Sequence, residues 1–286
     1  MKKRRILLIL AVLALLASLS VMAYPVVANY LNEKYQSTVQ AEYTRELASV
    51  DDGKILTARE AARAYNENLH PIRYDRDAVD AAAVDYDGLL DLTGTGIMGY
   101  VEIPKIDVSL PIYHGTEETE LRKGIGHLVG SSLPIGGVGE HSVLTGHSGV
   151  AGKRLFSDLE QLAPGDRFYI HILGETLAYR VTDINTVLPH ETDLLTAVPE
   201  KDLCILVTCT PYGVNSHRLL VQGSRIPFER IETSEEPETQ SQPRQSAWKQ
   251  NYLKGLLIGC GSAAGAVVIG MLLARILRKR RKRHEA

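Results

Sequence analysis

Residues 203–227 read LCILVTCTPYGVNSHRLLVQGSRIP. Leu203–Thr208 is a short, continuous apolar run, the pattern of a strand buried on both faces. Thr210-Pro211-Tyr212-Gly213 is turn chemistry. The run 217–227 then returns as a second strand. Cys209 closes the first strand and Arg218 opens the second, nine residues later. A thiol at a strand end beside a polar loop is set to be exposed. Cys204, five residues earlier, points to the opposite face of a regular strand and reads as a buried small hydrophobe. A guanidinium across the loop can come back beside Cys209 on a neighbouring strand.

The same texture extends upstream to Tyr100. Strand-like segments occur at 99–106, 109–113, 141–147, 166–173 and 176–188, each short, β-branched and set off by Gly or Pro. Short helices are expected at 116–128 and 155–163. Many strands with few helices predict a mostly β domain, a closed barrel or a sandwich. The pattern is helical before residue 71. Leu31, Tyr35, Val39, Tyr43 and Leu47 recur every four residues. Asp51-Asp52-Gly53 breaks that helix, and Thr57-x-x-Glu60 has the form of a capping box that opens a second. Pro71 ends it. Residues 71–95 are acidic and loop-like.

The ends differ from the middle. The net charge is −2, yet residues 25–250 carry 20 basic against 33 acidic residues, a net of −13. An acidic body excludes nucleic acid as a partner, because phosphate binding needs clustered Lys and Arg. The basic residues gather instead at Lys2–Arg5 and over 275–283. Ile6–Ala23 is eighteen uncharged residues behind Lys-Lys-Arg-Arg. It reads as a retained membrane anchor, with a cleaved leader ending at Val21-Met22-Ala23 as the alternative. Gly255–Ala274 is twenty uncharged residues followed by a basic cluster, a stop-transfer pattern. The expected topology is two-pass, with both termini cytoplasmic and about 25–250 outside. Residues 232–247 are polar, acidic and Pro-containing, a tether. The expected divisions are an anchor at 1–24, a helical region at 25–95, a β domain at 96–230, a linker at 231–253, a second transmembrane helix at 254–277 and a basic tail at 278–286.

The candidate chemistry rests on three residues. Cys209 and Arg218 are joined by His147, which ends the strand-like 141–146 within Thr145-Gly146-His147-Ser148-Gly149. A histidine among glycines at a strand end can approach a ligand closely. A zinc site built from His141, His147 and Cys209 is disfavoured, since neither His-Glu-x-x-His nor paired Cys-x-x-Cys is present. No metal and no cofactor are expected. A papain-like protease is disfavoured by the lack of a Cys-Gly-Ser-Cys-Trp string.

Taken together these residues resemble a sortase. Thr145-Gly146-His147 upstream, Leu206-Val207-Thr208-Cys209 and Arg218 carry the likeness. Gly99-Tyr100-Val101-Glu102-Ile103-Pro104-Lys105-Ile106, Leu110-Pro111-Ile112-Tyr113, Gly126-His127-Leu128, Ser132-Leu133-Pro134, Cys209-Thr210-Pro211-Tyr212 and Asn215-Ser216-His217-Arg218-Leu219-Leu220-Val221 narrow it to class C, the pilin-polymerising sortases. The similarity covers about residues 96–230. It implies an eight-stranded β-barrel and a cysteine transpeptidase. Such an enzyme cuts an LPxTG-like sorting signal between Thr and Gly, holds the protein as a thioester on Cys209 and passes it to an amine, in class C a pilin lysine. His147 would move the proton, and Arg218 would stabilise the oxyanion or bind the substrate backbone. The implied partners are pilin or surface-protein substrates and the membrane, and the implied location is a Gram-positive-type cell surface. Class C members carry a lid with an Asp-Pro-aromatic motif. This chain lacks that motif; the nearest candidates are Tyr74-Asp75-Arg76-Asp77 and Asp85-Tyr86-Asp87, the first favoured by its distance from the barrel, with an acidic solvated loop as the alternative. A housekeeping sortase that attaches proteins to peptidoglycan would share the three residues. A tethered, non-enzymatic binding domain is the third alternative.

Overall fold

The computed structural model describes residues 2–69, 86–150, 152–195, 198–228, 253–257 and 259–261. The chain divides into two units, 1–244 and 245–286. The described part of the second is helical at 253–257 and 259–261.

The first unit opens with helix α1 (Lys2–Leu47) and helix α2 (Asp52–Leu69). Eight strands follow: β1 (Ile97–Ile103), β2 (Val108–His114), β3 (Ile125–His127), β4 (His141–Thr145), β5 (Arg167–Ile172), β6 (Glu175–Val187), β7 (Leu203–Thr210) and β8 (His217–Ile226). They form a closed barrel in the order β1-β2-β3-β4-β7-β8-β6-β5. β5 closes the ring on β1 through pairs such as Val101↔Ile170. The expected mostly β fold with an eight-stranded barrel is therefore observed. Two pairings are parallel, β2 with β3 and β4 with β7; the others are antiparallel. Met98, Ile112, Leu144, Phe168, Leu206 and Val221 belong to the core. Burying a side chain of this size stabilises the fold by about 1.5–3 kcal/mol.

Several boundaries depart from the sequence pattern. The expected helix over 116–128 is a single turn, α3 (Glu118–Leu121), after which the chain enters β3. The expected helix over 155–163 is a 3-10 turn at Leu159–Gln161. Residues 99–106 are not one strand, because Pro104–Ile106 turns as a 3-10 helix and Asp107 adopts a left-handed φ of 51°. Helix α2 begins before Thr57. Asp51 caps it by accepting the Gly53 N–H at 2.9 Å, and the Thr57 hydroxyl bonds back to the Gly53 carbonyl.

The stripe from Leu31 to Leu47 is only half buried. At 3.6 residues per turn, a spacing of four drifts about 40° around the helix at each step. Tyr43 and Leu47 reach Ile97 and Tyr113, while Leu31 and Tyr35 face outward. The helix is fixed to the barrel by polar contacts: the Tyr43 hydroxyl donates to the Met98 carbonyl at 2.8 Å, Ser109 to Gln40 at 2.6 Å, and the Gln36 amide to the Lys123 carbonyl. From α2, Ala62, Tyr65 and Leu69 enter the main core, and Asn66 pairs both ways with the Leu133 backbone.

Among the described residues no helix is long and apolar enough to cross a membrane. The anchor expected at 1–24 falls in α1, where the side chains of 2–5 and of several positions up to 19 lie outside the described set. The second expected span, at 254–277, falls largely outside the described residues, as do the linker at 231–253, the tail at 278–286 and the lid candidates Tyr74 and Asp75.

Candidate active site

Three adjacent strands build the site. β4 and β7 run parallel in the register Val143↔Ile205, Leu144↔Leu206, Thr145↔Val207. His147 lies two residues past Thr145 and Cys209 two residues past Val207, so both stand at the same end of neighbouring strands. Backbone and side-chain bonds carry the register onward. Gly146 N–H donates to the Val207 carbonyl at 3.0 Å, and the Thr208 hydroxyl donates to the Gly146 carbonyl at 2.7 Å. On its other side β7 pairs with β8, with Cys209 opposite Arg218. Arg218 in turn pairs with Val187 at the end of β6.

Strand alternation fixes the facing. Cys204 and Leu206 belong to the core, so Cys209 lies on the outer face of the barrel. Leu219 and Val221 belong to the core, so Arg218 faces outward. Leu144 points in, and His147, two residues past the end of β4, is partly exposed against Glu118. Cys209 and Arg218 thus share one face, and His147 leaves the neighbouring strand at the same end. Cys204 is fully buried and Cys209 partly exposed, as their five-residue separation implied. Burial pushes the Cys204 thiol well above its ordinary range.

Gly146 is required at its position. A Cβ there would lie 2.8 Å from the Phe156 ring and 2.9 Å from Ile125. The chain therefore leaves β4 pressed against the core, and His147 starts from that fixed point. The loop after His147 folds back, with Phe156 N–H donating to the His147 carbonyl at 3.1 Å. The loop after Cys209 is tied by Val214 and Asn215 N–H, both 3.0 Å from the Pro211 carbonyl. Arg218 Nη1 donates to the carbonyls of Asn215 and His217 at 3.3 and 3.1 Å, which pins the guanidinium beside its own loop.

Glu118 on α3 also reaches the site. Its Oε2 lies 3.2 Å from His147 Nε2, and its Oε1 accepts from Arg122 Nε at 2.6 Å. The Arg122 hydrogen bond, reinforced by His147, holds the carboxyl below its usual range. Sequence reasoning missed this group. Nothing in Glu117-Glu118-Thr119-Glu120 marks one carboxylate, although the Glu118–Arg122 spacing of four is a legible helical pair. His141 does not join the site. It begins β4, opposite Leu203, at the far end of the strand from His147. Among the described residues no group of three or more His, Cys, Asp or Glu is arranged to hold a metal ion.

The arrangement offers a partly exposed thiol flanked by an imidazole and a fixed cation, the components of nucleophilic acyl transfer. Comparison with known proteins agrees with it. The Sortase domain family matches residues 101–226. The chain is similar to the crystal structure of sortase C1 from Streptococcus agalactiae, with 44% identity and a TM-score of 0.64, covering 67% of this chain and 100% of that one. It is similar to Clostridium perfringens sortase C, solved with the C-terminal cell wall sorting motif, with 39% identity and a TM-score of 0.58, covering 67% of this chain and 100% of that one. Among curated proteins it is 32% identical over 117 residues to a Sortase A of Streptococcus agalactiae, covering 40% of this chain. The chain spans about half the length of that relative, 47%.

Proposed function

Because this chain belongs to the sortase family, we propose that it is a class C cysteine transpeptidase that cleaves an LPxTG-like sorting signal and joins the released end to a pilin lysine. The observation that supports this is that Cys209 and Arg218 pair across β7 and β8 while His147 leaves β4, the parallel neighbour of β7, at the same end.

The steps follow from the three side chains. The Cys209 thiolate attacks the threonine carbonyl, and the Arg218 guanidinium stabilises the oxyanion that forms. As the C–N bond breaks, imidazolium His147 gives its proton to the departing glycine amine. The thioester is then attacked by a lysine amine, whose proton passes to the now neutral His147. Cys209 leaves as thiolate and the enzyme returns to its starting charge state. Arg218 keeps its proton throughout, since a guanidinium does not titrate in this range.

The domain is held outside the cell by anchors at 1–24 and 254–277. The support is the charge-free runs Ile6–Ala23 and Gly255–Ala274 and their basic flanks. A lid around Tyr74-Asp75 belongs to the same reading, by analogy with class C. Incubation of the protein with sorting-signal peptides, followed by mass spectrometry, tests the function. An acyl adduct on Cys209, absent from Cys209→Ala, is expected. Polymerisation by Cys209→Ala would refute the assignment. The housekeeping reading, favoured by the curated Sortase A similarity, is distinguished by the acceptor: a peptidoglycan cross-bridge amine in place of a pilin lysine.

A further inference from the structure

We propose that Glu118 is a positioning residue for His147: it holds Nε2 of the imidazole and leaves Nδ1 as the nitrogen that exchanges protons with substrate. This rests on the reading of His147 as the proton-transfer group.

The placement comes from topology. α3 is the single turn between β2 and β3, and β3 pairs with β4 through Gly126↔Thr145. The turn is thereby brought over the end of β4, where His147 emerges. The two carboxylate oxygens divide their work. Oε1 takes Arg122 Nε at 2.6 Å, and Oε2 faces His147 Nε2 at 3.2 Å. An ionised carboxylate only accepts, so the ring nitrogen facing it must carry the proton. A neutral His147 then presents the Nδ1 lone pair, and a charged one presents Nδ1–H. Among the described residues no hydrogen-bond partner reaches Nδ1.

The charge environment supports the same assignment. The charged groups around the pair are Arg122 on α3, which holds Glu118 Oε1, and Lys153 from the loop after His147, which donates to the Arg122 carbonyl; Cys209 and Arg218 pair with each other at the ends of β7 and β8. Arg122 holds the Glu118 carboxyl below its usual range, so the group facing Nε2 is an acceptor. The pair is open to solvent, with Glu118 60% exposed. Its influence is correspondingly modest and salt-sensitive.

Two variants separate this role from a structural one. Glu118→Ala removes the acceptor of the Nε2 proton, and Arg122→Gln loosens the α3 turn while leaving that acceptor in place. The test reads the His147 ring nitrogens by 15N NMR in the solubilised full chain. The neutral ring should be the single Nε2–H tautomer in wild type and in Arg122→Gln, and a mixture of both tautomers in Glu118→Ala. A contact that merely pins the α3 turn would leave the tautomer unchanged in Glu118→Ala or mix it in both variants, and either result overturns the proposal. The measurement needs no substrate, so it is independent of peptide acylation. Failure to acylate Cys209 would sink the transpeptidase reading alone; an unmoved tautomer would sink the positioning role alone.

Discussion

Cys209 and Arg218 are direct cross-strand partners in the antiparallel pair β7–β8. Residues paired this way project to the same face of a sheet. The sulfur and the guanidinium are therefore neighbours by register, whatever path the loop between them takes. A slip of one residue would send one of the two to the barrel interior. The pairing continues through Thr208↔Leu219 and Leu206↔Val221, whose core side chains fix that register.

Arg218→Lys should leave the fold intact and remove most activity. The guanidinium donates to the carbonyls of Asn215 and His217, which orients its remaining donors. An ammonium is a point charge and cannot reproduce the planar fork. Loss of one oxyanion donor typically costs on the order of 10²–10³-fold in turnover. Unchanged thermal unfolding with a drop of that size in thioester formation is expected; near-normal turnover would reduce Arg218 to a source of charge.

Thiol reactivity should separate the two barrel cysteines. In a Cys260→Ala background, iodoacetamide should label native protein at Cys209 and spare Cys204. Cys209 stands partly exposed, whereas Cys204 is sealed in the core with its thiol held protonated. Peptide mapping before and after denaturation checks this. Labelling of Cys204 in the native state would mean that the barrel opens.

His127 should make the protein acid-sensitive. It is wholly buried, with Nε2 facing the Ser132 carbonyl at 2.9 Å and Nδ1 facing the Tyr86 hydroxyl at 2.8 Å. Burial pushes its pKa from 6.5 down to about 4. The folded value lies below the unfolded one, so the neutral ring belongs to the fold. Its contribution is complete above about 6.5 and is lost as pH falls toward 4. The whole window is worth about 3 kcal/mol. Urea denaturation at neutral and acid pH, compared between wild type and His127→Gln, should show a shallower decline in the variant. Parallel declines would assign acid sensitivity to other groups.

Gly146→Ala should be costly twice over. The new methyl would meet Phe156 and Ile125 at under 3 Å. Overpacking of this kind costs about 1–3 kcal/mol. The strain falls on the residue before His147, and displacement of a reacting group by an ångström can cost about 10²-fold in rate. A lowered melting temperature with a disproportionate fall in activity is expected. A variant as stable and as active as wild type would show that the exit from β4 has slack.

Much of this was legible in the sequence. Seven strands announce themselves by composition and turns, while β3, three residues long, is too short to show alternation and follows an acidic helical turn. The start of α2 is not legible at Thr57, because Thr57 bonds back to the preceding turn and Asp51 does the capping. Cys209, Arg218 and His147 stood out because each ends or begins a strand next to turn residues. Glu118 did not, since its partnership with His147 depends on β3 and β4 lying side by side.

The ring formed by β1 through β8 has one further consequence. Every strand has a neighbour on each side, yet some outrun it: Asp183–Val187 of β6 pair with β8 but lie beyond the last β5 partner, Arg180, and Val108–Pro111 of β2 pair with β1 but precede the first β3 partner, Ile112. Closure confines open main-chain ladder to such overhangs, and one of them ends at Val187, the cross-strand partner of Arg218.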